Sequence, residues 1–378
     1  MISMDALDRA LQKSGAAAYV MTGSSEYADM RYLTRFTTTD PIIYVRSAGE
    51  RGWIIVSQME YTRAQQEAVT RVMTRADAGL FRILEEEKDR WRALARMVAN
   101  LVEGMVLIPP DFPYALGRHL DELTGVVTDT GTISLMRAKK SRTEVISIEK
   151  VQRSAERAML HAIDSIRRSK SRNGMLWLEG KPLTSERIRS EMHALLIHEG
   201  CIARDTILSC GKDTAMPHNK GTGPLFEDEP IMIDIFPRSE QTGYHSDMTR
   251  TVVKGEPCQE IREMFDAVKT AQDVAASMIK PGISGEVVHQ AVVDFFASRG
   301  YGTKGEGYIH SLGHGVGLEV HELPSLGPGG DRLSRGNVVT NEPGLYYEKV
   351  GGIRLENIGL VTQTGFRTIT EFPCELVI

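Results

Sequence analysis

The first third of the chain mixes strand-like and helical apolar patterns. Residues 44–57 predict two strands around a glycine turn, and residues 105–110 predict a strand that ends at two prolines. Apolar residues recur at helical spacing over 59–69 and 83–102. Helices and strands that alternate in this way predict a smaller α/β domain at the amino end of the chain.

The pattern changes near residue 138. The basic, polar stretch 137–145 is expected to be a solvated linker, because basic residues beside a helix usually face water. After it, apolar residues from Val145 to Ile166 step by three or four positions, which predicts a long amphipathic helix. We therefore predict a boundary here, with an amino-terminal domain at 1–137 and a second domain at 138–378.

The second domain is predicted to be α+β, with helices packed over a mostly antiparallel sheet. Two pairs of its strand-like segments are joined by short polar turns, as antiparallel neighbours are. The predicted helices cover 185–200, 260–279 and 285–300, and the predicted strands cover 230–236, 243–253, 337–347 and 351–362.

Composition narrows the function classes. Of the 378 residues, 41% are hydrophobic and 25% are charged, which is the balance of a soluble globular protein. The formal net charge of −5 argues against nucleic acid as a partner, and the apolar runs are too short for a membrane helix. Residues 1–15 predict a polar helix rather than a secretory leader. Four dispersed cysteines without a CxxC pair predict neither disulfides nor a thiolate zinc site, so we expect a cytoplasmic protein.

Two carboxylates interrupt apolar strands of the second domain. Asp234 alternates with isoleucines in one predicted strand, and Asp247 lies in the next. A buried carboxylate is costly unless it is paired or bound to a cation. If the two strands form a hairpin, both carboxylates can share a face. A salt bridge to Arg250 would explain either one alone, but two together favour a metal site.

Histidines and further carboxylates follow along the chain. His310, His314 and His321 are interleaved with three glycines, which let the backbone pass close to a site, and neutral imidazole is a common metal ligand. Glu342 and Glu356 lie in strand-like segments, where Arg354 is a competing ion-pair partner for Glu356.

The candidate metal ligands comprise four carboxylates and one imidazole. Four carboxylates converge in one pocket only when strong cations offset their repulsion. Two divalent ions bridged by carboxylates fit this inventory. The oxygen-dominated set favours Mn²⁺ or Co²⁺, with Fe²⁺ or Zn²⁺ as alternatives. The candidates are Asp234, Asp247, His314, Glu342 and Glu356.

The motifs around these residues resemble those of a known family. IDIFP, YHSDMTRT, HSLGHGVGLEVHE, NEPGLYY and IRLEN, in this order within 140–378, are similar to the motifs of the pita-bread metallopeptidases. That family includes prolidases, Xaa-Pro aminopeptidases and methionine aminopeptidases. MRYLTRF at 30–36 is similar to the Tyr-Leu-Thr-Gly-Phe stretch of creatinase-type amino-terminal domains, with Arg35 in place of the usual glycine. Because methionine aminopeptidases usually lack that domain, the resemblance is closer to the Xaa-Pro branch.

The resemblance implies a fold and a role for each predicted ligand. The fold would be a creatinase-like domain followed by a catalytic pita-bread domain. Asp234 would chelate one metal, and Asp247 and Glu356 would bridge both. His314 and Glu342 would hold the second metal. Creatinase has replaced these ligands, whereas all five are present here, which implies a metal-dependent hydrolase.

The resemblance also implies residues that contact the substrate. His218, in MPHN, matches a substrate-contacting histidine, and His310 and His321 match the two histidines that flank the metal-binding one. Arg354 matches an arginine beside the last ligand. We therefore predict catalytic roles for these three histidines together with Glu342, and substrate binding by His218, His321 and Arg354.

The predicted activity is hydrolysis of the Xaa-Pro bond at the amino terminus of peptides. Two cations would lower the pKa of a bridging water so that it supplies hydroxide at neutral pH, and Glu342 would accept its proton. The metals, with His218 or His321 as donors, would stabilise the oxyanion. Prolidases restricted to dipeptides often place a basic residue after the VHE-x-Pro stretch, but Ser325 stands there, which favours an Xaa-Pro aminopeptidase.

Several alternatives remain open at this point. An Xaa-Pro dipeptidase (prolidase) that acts on dipeptides alone is the main alternative. The extra amino-terminal domain disfavours a methionine aminopeptidase-like specificity. The intact ligand set disfavours both a creatinase-like enzyme without metal and a peptide-binding pseudo-peptidase. The resemblance further implies a homodimer with a peptide substrate.

Overall fold

The structure, a computed structural model, describes residues 5–378. It divides into two compact units, one ending at Arg137 and the other beginning at Ala138. The helix predicted near the amino terminus is α1 (Ala6–Ser14), and residues 1–4 of that prediction lie outside the described residues. In the part of the chain that is described, no helix is long and apolar enough to cross a membrane.

The first unit alternates helices and strands, as the sequence predicts. Its strands are β1 (Ala18–Gly23), β2 (Ile42–Ser47), β3 (Trp53–Val56), β4 (Arg71–Thr74), β5 (Val106–Ile108) and β6 (Val126–Thr128). Its further helices are α2 (Ala28–Thr34), α3 (Tyr61–Glu67), α4 (Leu80–Glu86), α5 (Arg90–Ala99), α6 (Tyr114–Thr124) and α7 (Thr132–Ala138). The strands form one mixed sheet in the order β4-β3-β2-β1-β5-β6, with an apolar core on each face.

Two local features of this unit refine the sequence pattern. The helical pattern over 83–102 is split, because Asp89 accepts hydrogen bonds from the N–H groups of Trp91 and Arg92 and so starts α5. Arg35, which replaces the usual glycine of the resembled motif, ends α2 with a φ of 53°. Glycine adopts this left-handed conformation without steric cost, which explains why it is the usual residue there.

The second unit is α+β, as predicted. Its helices are α8 (Arg142–Arg168), α9 (Ser185–His198), α10 (Gln259–Met278) and α11 (Gly285–Ser298), with a 3₁₀ turn at Gly211–Ala215. Its first strands are β7 (Lys170–Arg172), β8 (Met175–Leu178), β9 (Lys181–Pro182), β10 (Cys201–Ile202), β11 (Ile207–Cys210), β12 (Pro230–Ile235), β13 (Arg238–Ser239) and β14 (Met248–Val253). The later strands are β15 (Thr303–Lys304), β16 (Glu306–Gly307), β17 (Gly313–Gly315), β18 (Glu322–Leu326), β19 (Val338–Asn341), β20 (Gly344–Tyr347), β21 (Gly351–Arg354), β22 (Asn357–Val361) and β23 (Phe366–Thr368).

Strand pairing in this unit is antiparallel in each described sheet. Three of the sheets carry the residues discussed below, with orders β11-β12-β14, β18-β17-β19-β22-β23 and β15-β16-β20-β21. Helices α8 and α9 share an apolar core with β12, and α10 and α11 share another with β20 and β21. The predicted layer of helices over a mostly antiparallel sheet is therefore confirmed.

The basic stretch before α8 is not a simple solvated linker. Ser141 caps α8 in a reciprocal capping box with Glu144, which fixes where the helix begins. The Nζ of Lys140 lies 2.5 Å from Glu322 Oε1, and their side chains are only 1% and 4% exposed. The expectation of a solvated segment is wrong for Lys140, because a distant carboxylate supplies a buried partner that the local sequence cannot reveal.

The last two predicted strands are each broken at a glutamate. Glu342 separates β19 from β20, and Glu356 separates β21 from β22. At each break the backbone bonds to another strand or loop: the Glu342 N–H donates to the Leu312 carbonyl at 2.9 Å, and the Glu356 N–H donates to the Thr249 carbonyl at 3.0 Å. Each break therefore places its glutamate where the backbone is hydrogen-bonded to a second, distant segment of the chain.

Candidate metal centre

The five predicted ligands line one cavity of about 800 Å³ in the second unit. Each comes from a different position in the sheets: Asp234 lies in β12, Asp247 just before β14, His314 in β17, and the two glutamates at the strand breaks described above. Antiparallel pairing of β12 with β14 brings the first two segments together. The fold therefore brings five residues that are far apart in the sequence to one site.

Strand alternation aims Asp234 at the cavity. Ile231, Ile233 and Ile235 pack into the core beneath α8 and α9, so Asp234 lies on the opposite face of β12. There its Oδ2 accepts a hydrogen bond from Arg354 Nη2 at 2.5 Å. The predicted alternation is confirmed, but Arg354 pairs with Asp234 rather than with Glu356, the competing partner considered from the sequence.

Arg250 does not pair with the carboxylates. Its side chain lies on the opposite face of β14 and is about 1% exposed. Its guanidinium donates hydrogen bonds to the carbonyl oxygens of Thr249, Glu356, Phe372 and Pro373 and to Asn357 Oδ1. The salt bridge considered from the sequence as an explanation for Asp234 or Asp247 is therefore wrong.

Three of the predicted ligands form a compact group. Ligand atoms of Asp247, His314 and Glu356 all lie within 4.8 Å of one another. His314 Nε2 is 3.9 Å from Asp247 Oδ2 and 3.1 Å from Glu342 Oε1, so Glu342 adjoins the group. Asp234 lines the same cavity while its second oxygen is held by Arg354.

The tautomer of His314 suits metal binding. Its Nδ1 lies 3.1 Å from the Gly315 carbonyl oxygen, which can only accept, so Nδ1 is the donor. In the metal-free protein burial lowers the pKa of His314, but the contact of Nε2 with Glu342 outweighs it and raises the pKa, which favours a ring protonated on both nitrogens. When Nε2 loses its proton and becomes a ligand, Nδ1 keeps its bond to Gly315. Metal-binding histidines are usually oriented by such a bond from the other ring nitrogen.

Three carboxylate oxygens at the site are buried and lack hydrogen-bond partners among the described residues. They are Asp234 Oδ1, Asp247 Oδ1 and Glu356 Oε1. Their companion oxygens are partly satisfied: Thr249 donates to Glu356 Oε2 at 2.8 Å, for example. An unpaired buried carboxylate oxygen is strongly destabilising, and a divalent cation satisfies several at once. The donor set therefore fits divalent metal ions.

The electrostatics of the cluster point the same way. Burial raises the pKa values of Asp247 and Glu356 well above the ordinary range, and the negative charge of the other carboxylates raises them further. Burial also favours the neutral form of Glu342, but a hydrogen bond from His314 and nearby positive charges outweigh it and lower the Glu342 pKa to about 2. Without a cation, the site cannot hold all of its carboxylates ionised.

We expect metal uptake by the metal-free protein to release protons and to weaken as the pH falls. The raised pKa values of Asp247 and Glu356 keep protons on the cluster, and these protons must leave before both carboxylates act as ligands. Calorimetric titration with Mn²⁺ in buffers of different ionisation enthalpy measures the released protons. Uptake without proton release at neutral pH would contradict the raised pKa values.

The other predicted residues lie around the same cavity. His218, His310, His321 and Arg354 all line it. The rings of His321 and His314 meet edge to face with centroids 4.1 Å apart. Partial burial, together with the positive charge of His314, lowers the pKa of His321, so this ring is neutral at neutral pH.

His310 is engaged by the protein through both ring nitrogens. Its Nδ1 donates to the Ser311 carbonyl at 2.7 Å, so the neutral ring accepts at Nε2 from the Tyr346 hydroxyl at 2.9 Å. Arg354 Nη1 in turn donates to the Tyr346 oxygen at 3.0 Å. A hydrogen-bonded chain therefore links Asp234, Arg354, Tyr346 and His310 along one wall of the cavity.

Sequence reasoning missed three side chains that hold the ligands. Thr249 contacts Glu356 and Arg354, Thr340 donates to Glu342 Oε1 at 2.9 Å, and Tyr346 joins the wall just described. Thr249 and Thr340 each lie two positions from a predicted ligand and so share its face of an extended segment. That spacing is the signal that could have identified them.

The chain is similar to known proteins in sequence and in fold. A profile of metallopeptidase family M24 matches residues 147–363, and a profile of the creatinase/prolidase N-terminal domain matches residues 4–139. An Xaa-Pro dipeptidase of Pyrococcus horikoshii is 31% identical over 343 residues, which is 88% of each chain. The crystal structure of the prolidase from Pyrococcus horikoshii is similar with a TM-score of 0.82 at 26% identity, over 98% of both chains. The X-Pro aminopeptidase of Thermotoga maritima is similar with a TM-score of 0.80 at 25% identity, over 98% of this chain and 100% of its own.

The family match spans the part of the chain that carries the site. It covers more than half of the chain and includes all five residues that converge on the cavity. The likeness to the solved structures extends over nearly the whole chain, including the unit before Ala138. This chain belongs to metallopeptidase family M24, has the pita-bread fold of that family and is a metal-dependent peptidase.

Proposed function

We propose that this enzyme is an Xaa-Pro dipeptidase, or prolidase, which hydrolyses the bond before proline in dipeptides. The observation that carries the metal-dependent peptidase chemistry is the set of three buried carboxylate oxygens in one cavity that have no hydrogen-bond partner within residues 5–378. The choice of dipeptides is supported by the Pyrococcus horikoshii relative, which is named Xaa-Pro dipeptidase and aligns over 88% of each chain. This relative favours the dipeptidase, which was the alternative prediction from the sequence, over the Xaa-Pro aminopeptidase, which Ser325 supports.

The proposed ligands are those predicted from the sequence. Asp234 would hold one ion, Asp247 and Glu356 would lie between two ions, and His314 and Glu342 would hold the second. Bound divalent ions lower the pKa of a coordinated water and polarise a carbonyl group. The oxygen-rich donor set favours Mn²⁺ or Co²⁺ over Zn²⁺.

Glu342 would take up the proton of the attacking water. Its Oε1 accepts a hydrogen bond from Thr340 at 2.9 Å, which fixes the side chain in the cavity. The lowered pKa keeps the carboxylate ionised at neutral pH. The same carboxylate would return this proton to the leaving proline nitrogen.

The histidines around the cavity would handle the substrate carbonyl. His321 is neutral at neutral pH because its pKa is lowered, so its remaining N–H can donate to the developing oxyanion. His218 lines the cavity on a separate loop and would be a second donor. His310 has both nitrogens engaged and would position the wall that carries Arg354.

An Xaa-Pro aminopeptidase that accepts longer peptides is the second candidate. It is favoured by Ser325, which stands where dipeptide-specific relatives often place a basic residue. The resemblance to the X-Pro aminopeptidase of Thermotoga maritima also supports it. The intact ligand cluster disfavours a non-catalytic peptide-binding protein. Three further predictions from the sequence stay predictions: that the protein is a homodimer, that residues 1–137 and 138–378 are separate folding domains, and that the protein is cytoplasmic.

A substrate panel tests the proposal. Metal-free protein loaded with Mn²⁺ is expected to hydrolyse Ala-Pro with a kcat/KM at least about tenfold above that for Ala-Pro-Ala. Met-Ala-Ser should stay intact, and EDTA should remove the activity. Comparable cleavage of Ala-Pro-Ala would favour the aminopeptidase, and cleavage of Met-Ala-Ser alone would contradict both.

A further inference from the structure

A dipeptide differs from a longer peptide by one charge near the scissile bond. Its carboxy-terminal carboxylate lies one residue beyond that bond, whereas a longer peptide carries a neutral amide there. A dipeptidase therefore needs a positive charge at the cavity that can bind this carboxylate. Among the described residues that line the cavity, the arginine and lysine side chains are Arg354 and Lys220.

Arg354 is not free for this role. Its side chain is 4% exposed, and Nη2 donates to Asp234 Oδ2 at 2.5 Å. Its Nη1 donates to Tyr346 and to the Pro217 carbonyl, and its Nε donates to Thr249 Oγ1 at 3.3 Å. Recruiting it to the substrate would leave the Asp234 carboxylate without its counter-charge, which is strongly unfavourable in a buried site.

Lys220 is available at the cavity mouth. Its ammonium pairs with Asp205, and the two side chains are 57% and 64% exposed. Both residues line the cavity. An exposed ion pair of this kind contributes little to stability, so exchange of one carboxylate for another is easy. A substrate carboxylate that enters the cavity would compete with the Asp205 carboxylate for the ammonium.

The backbone of Lys220 is held firmly in place. Its carbonyl oxygen accepts hydrogen bonds from the Leu208 N–H and from Arg189. The next residue, Gly221, has a φ of +72°, and a Cβ there would lie 2.0 Å from the Leu208 carbonyl oxygen. The long Lys220 side chain therefore extends from a loop whose backbone is fixed, two positions after His218.

We propose that the Lys220 ammonium binds the carboxy-terminal carboxylate of the dipeptide substrate and displaces Asp205 from it. This inference rests on the proposed dipeptidase function and assigns the residue that selects dipeptides. It also accounts for Ser325. No basic residue stands directly after Pro324, and Lys220, much earlier in the sequence, supplies the positive charge instead. Lys220 is a specificity-determining residue, and the catalytic groups do not depend on it.

The test compares free dipeptides with their amides. Wild-type enzyme should prefer Ala-Pro to its carboxy-terminal amide, and Lys220→Gln should raise KM for Ala-Pro about tenfold while leaving KM for the amide unchanged. Lys220→Arg should keep the preference. Asp205→Asn should lower KM for Ala-Pro, because it removes the competing carboxylate. Lys280→Gln, an exposed lysine outside the cavity, is the matched control and should behave as wild type.

A binding measurement separates this inference from the proposed function. Calorimetry with a reduced-amide analogue of Ala-Pro, and with its carboxy-terminal amide, reports carboxylate preference without turnover. Loss of that preference in Lys220→Gln but not in Lys280→Gln supports the inference even if wild-type enzyme hydrolyses no Xaa-Pro dipeptide. An unchanged preference in Lys220→Gln, or no preference in wild type, overturns it.

Discussion

Asp247→Asn and Glu356→Gln are each expected to abolish turnover and to lower the amount of bound metal. Both residues belong to the compact group around His314, and each has a buried oxygen that lacks a partner among the described residues. Loss of a bound metal removes several kcal/mol of transition-state stabilisation, which is on the order of 10³-fold or more in kcat/KM. Elemental analysis of the purified variants and hydrolysis of Ala-Pro measure the two effects.

The same variants should not unfold more easily than wild type when both are metal-free. Burial and the neighbouring carboxylates raise the pKa values of Asp247 and Glu356, so folding of the metal-free protein bears the cost of protonating these groups at neutral pH, and an amide removes that cost. We expect a thermal midpoint equal to or above that of the metal-free wild type. Asp273→Asn, at an exposed position, serves as the control for activity and metal content. A ligand variant with full metal and full activity would show that the assignment is wrong.

Arg250→Met is expected to cause the largest loss of stability. Removing the guanidinium leaves several buried acceptors unpaired, including the carbonyl oxygens of Glu356 and Phe372. Each unpaired buried acceptor costs about 1–3 kcal/mol, so we expect a total of at least about 3 kcal/mol. For a unit of this size that lowers the thermal midpoint by roughly 6–12 °C.

The effect of Arg250→Met should also reach the metal site. Arg250 Nη1 holds the Glu356 carbonyl at 2.7 Å, so the variant frees the backbone that carries a proposed ligand. Residues that orient ligands typically change metal affinity by about 10–100-fold when they are replaced. Arg262→Met is the matched control, because that arginine is 44% exposed and pairs with Glu256. A midpoint and a metal affinity like those of the control would contradict the role of Arg250.

Local patterns predict much of the fold. The three isoleucines of β12 face the core beneath α8, as their alternation requires, and Asp234 therefore faces the other way. Helix starts are equally local, because Ser141 caps α8 through contacts within four residues. The split between α4 and α5 at Asp89 was also readable, since aspartate is a favoured N-cap residue, but the continuous apolar spacing concealed it.

Tertiary partners account for what the sequence could not reveal. The breaks at Glu342 and Glu356 depend on backbone bonds to distant segments, so each predicted strand looked continuous. Arg354 could pair with a near or a distant carboxylate, and the structure selects Asp234, which is far away in sequence. The buried contact of Lys140 with Glu322 is of the same kind.

The candidate site was predictable as a set, because four carboxylates and a histidine in strand-like segments need a cation. Substrate length was harder to predict. Ser325 is one position in β18, and the compensating charge of Lys220 lies far away in the sequence, at the mouth of the same cavity. A missing local charge is therefore a weak guide to specificity when the fold can supply that charge from elsewhere.

Titration of the metal-free protein with Mn²⁺, following bound metal and hydrolysis of Ala-Pro in the same samples, tests the metal-dependent dipeptidase most directly. We predict no hydrolysis without metal, and activity that rises with bound Mn²⁺ and saturates near two ions per chain. Hydrolysis that persists in EDTA, or a protein that fills with Mn²⁺ and leaves Ala-Pro intact, would contradict the proposal.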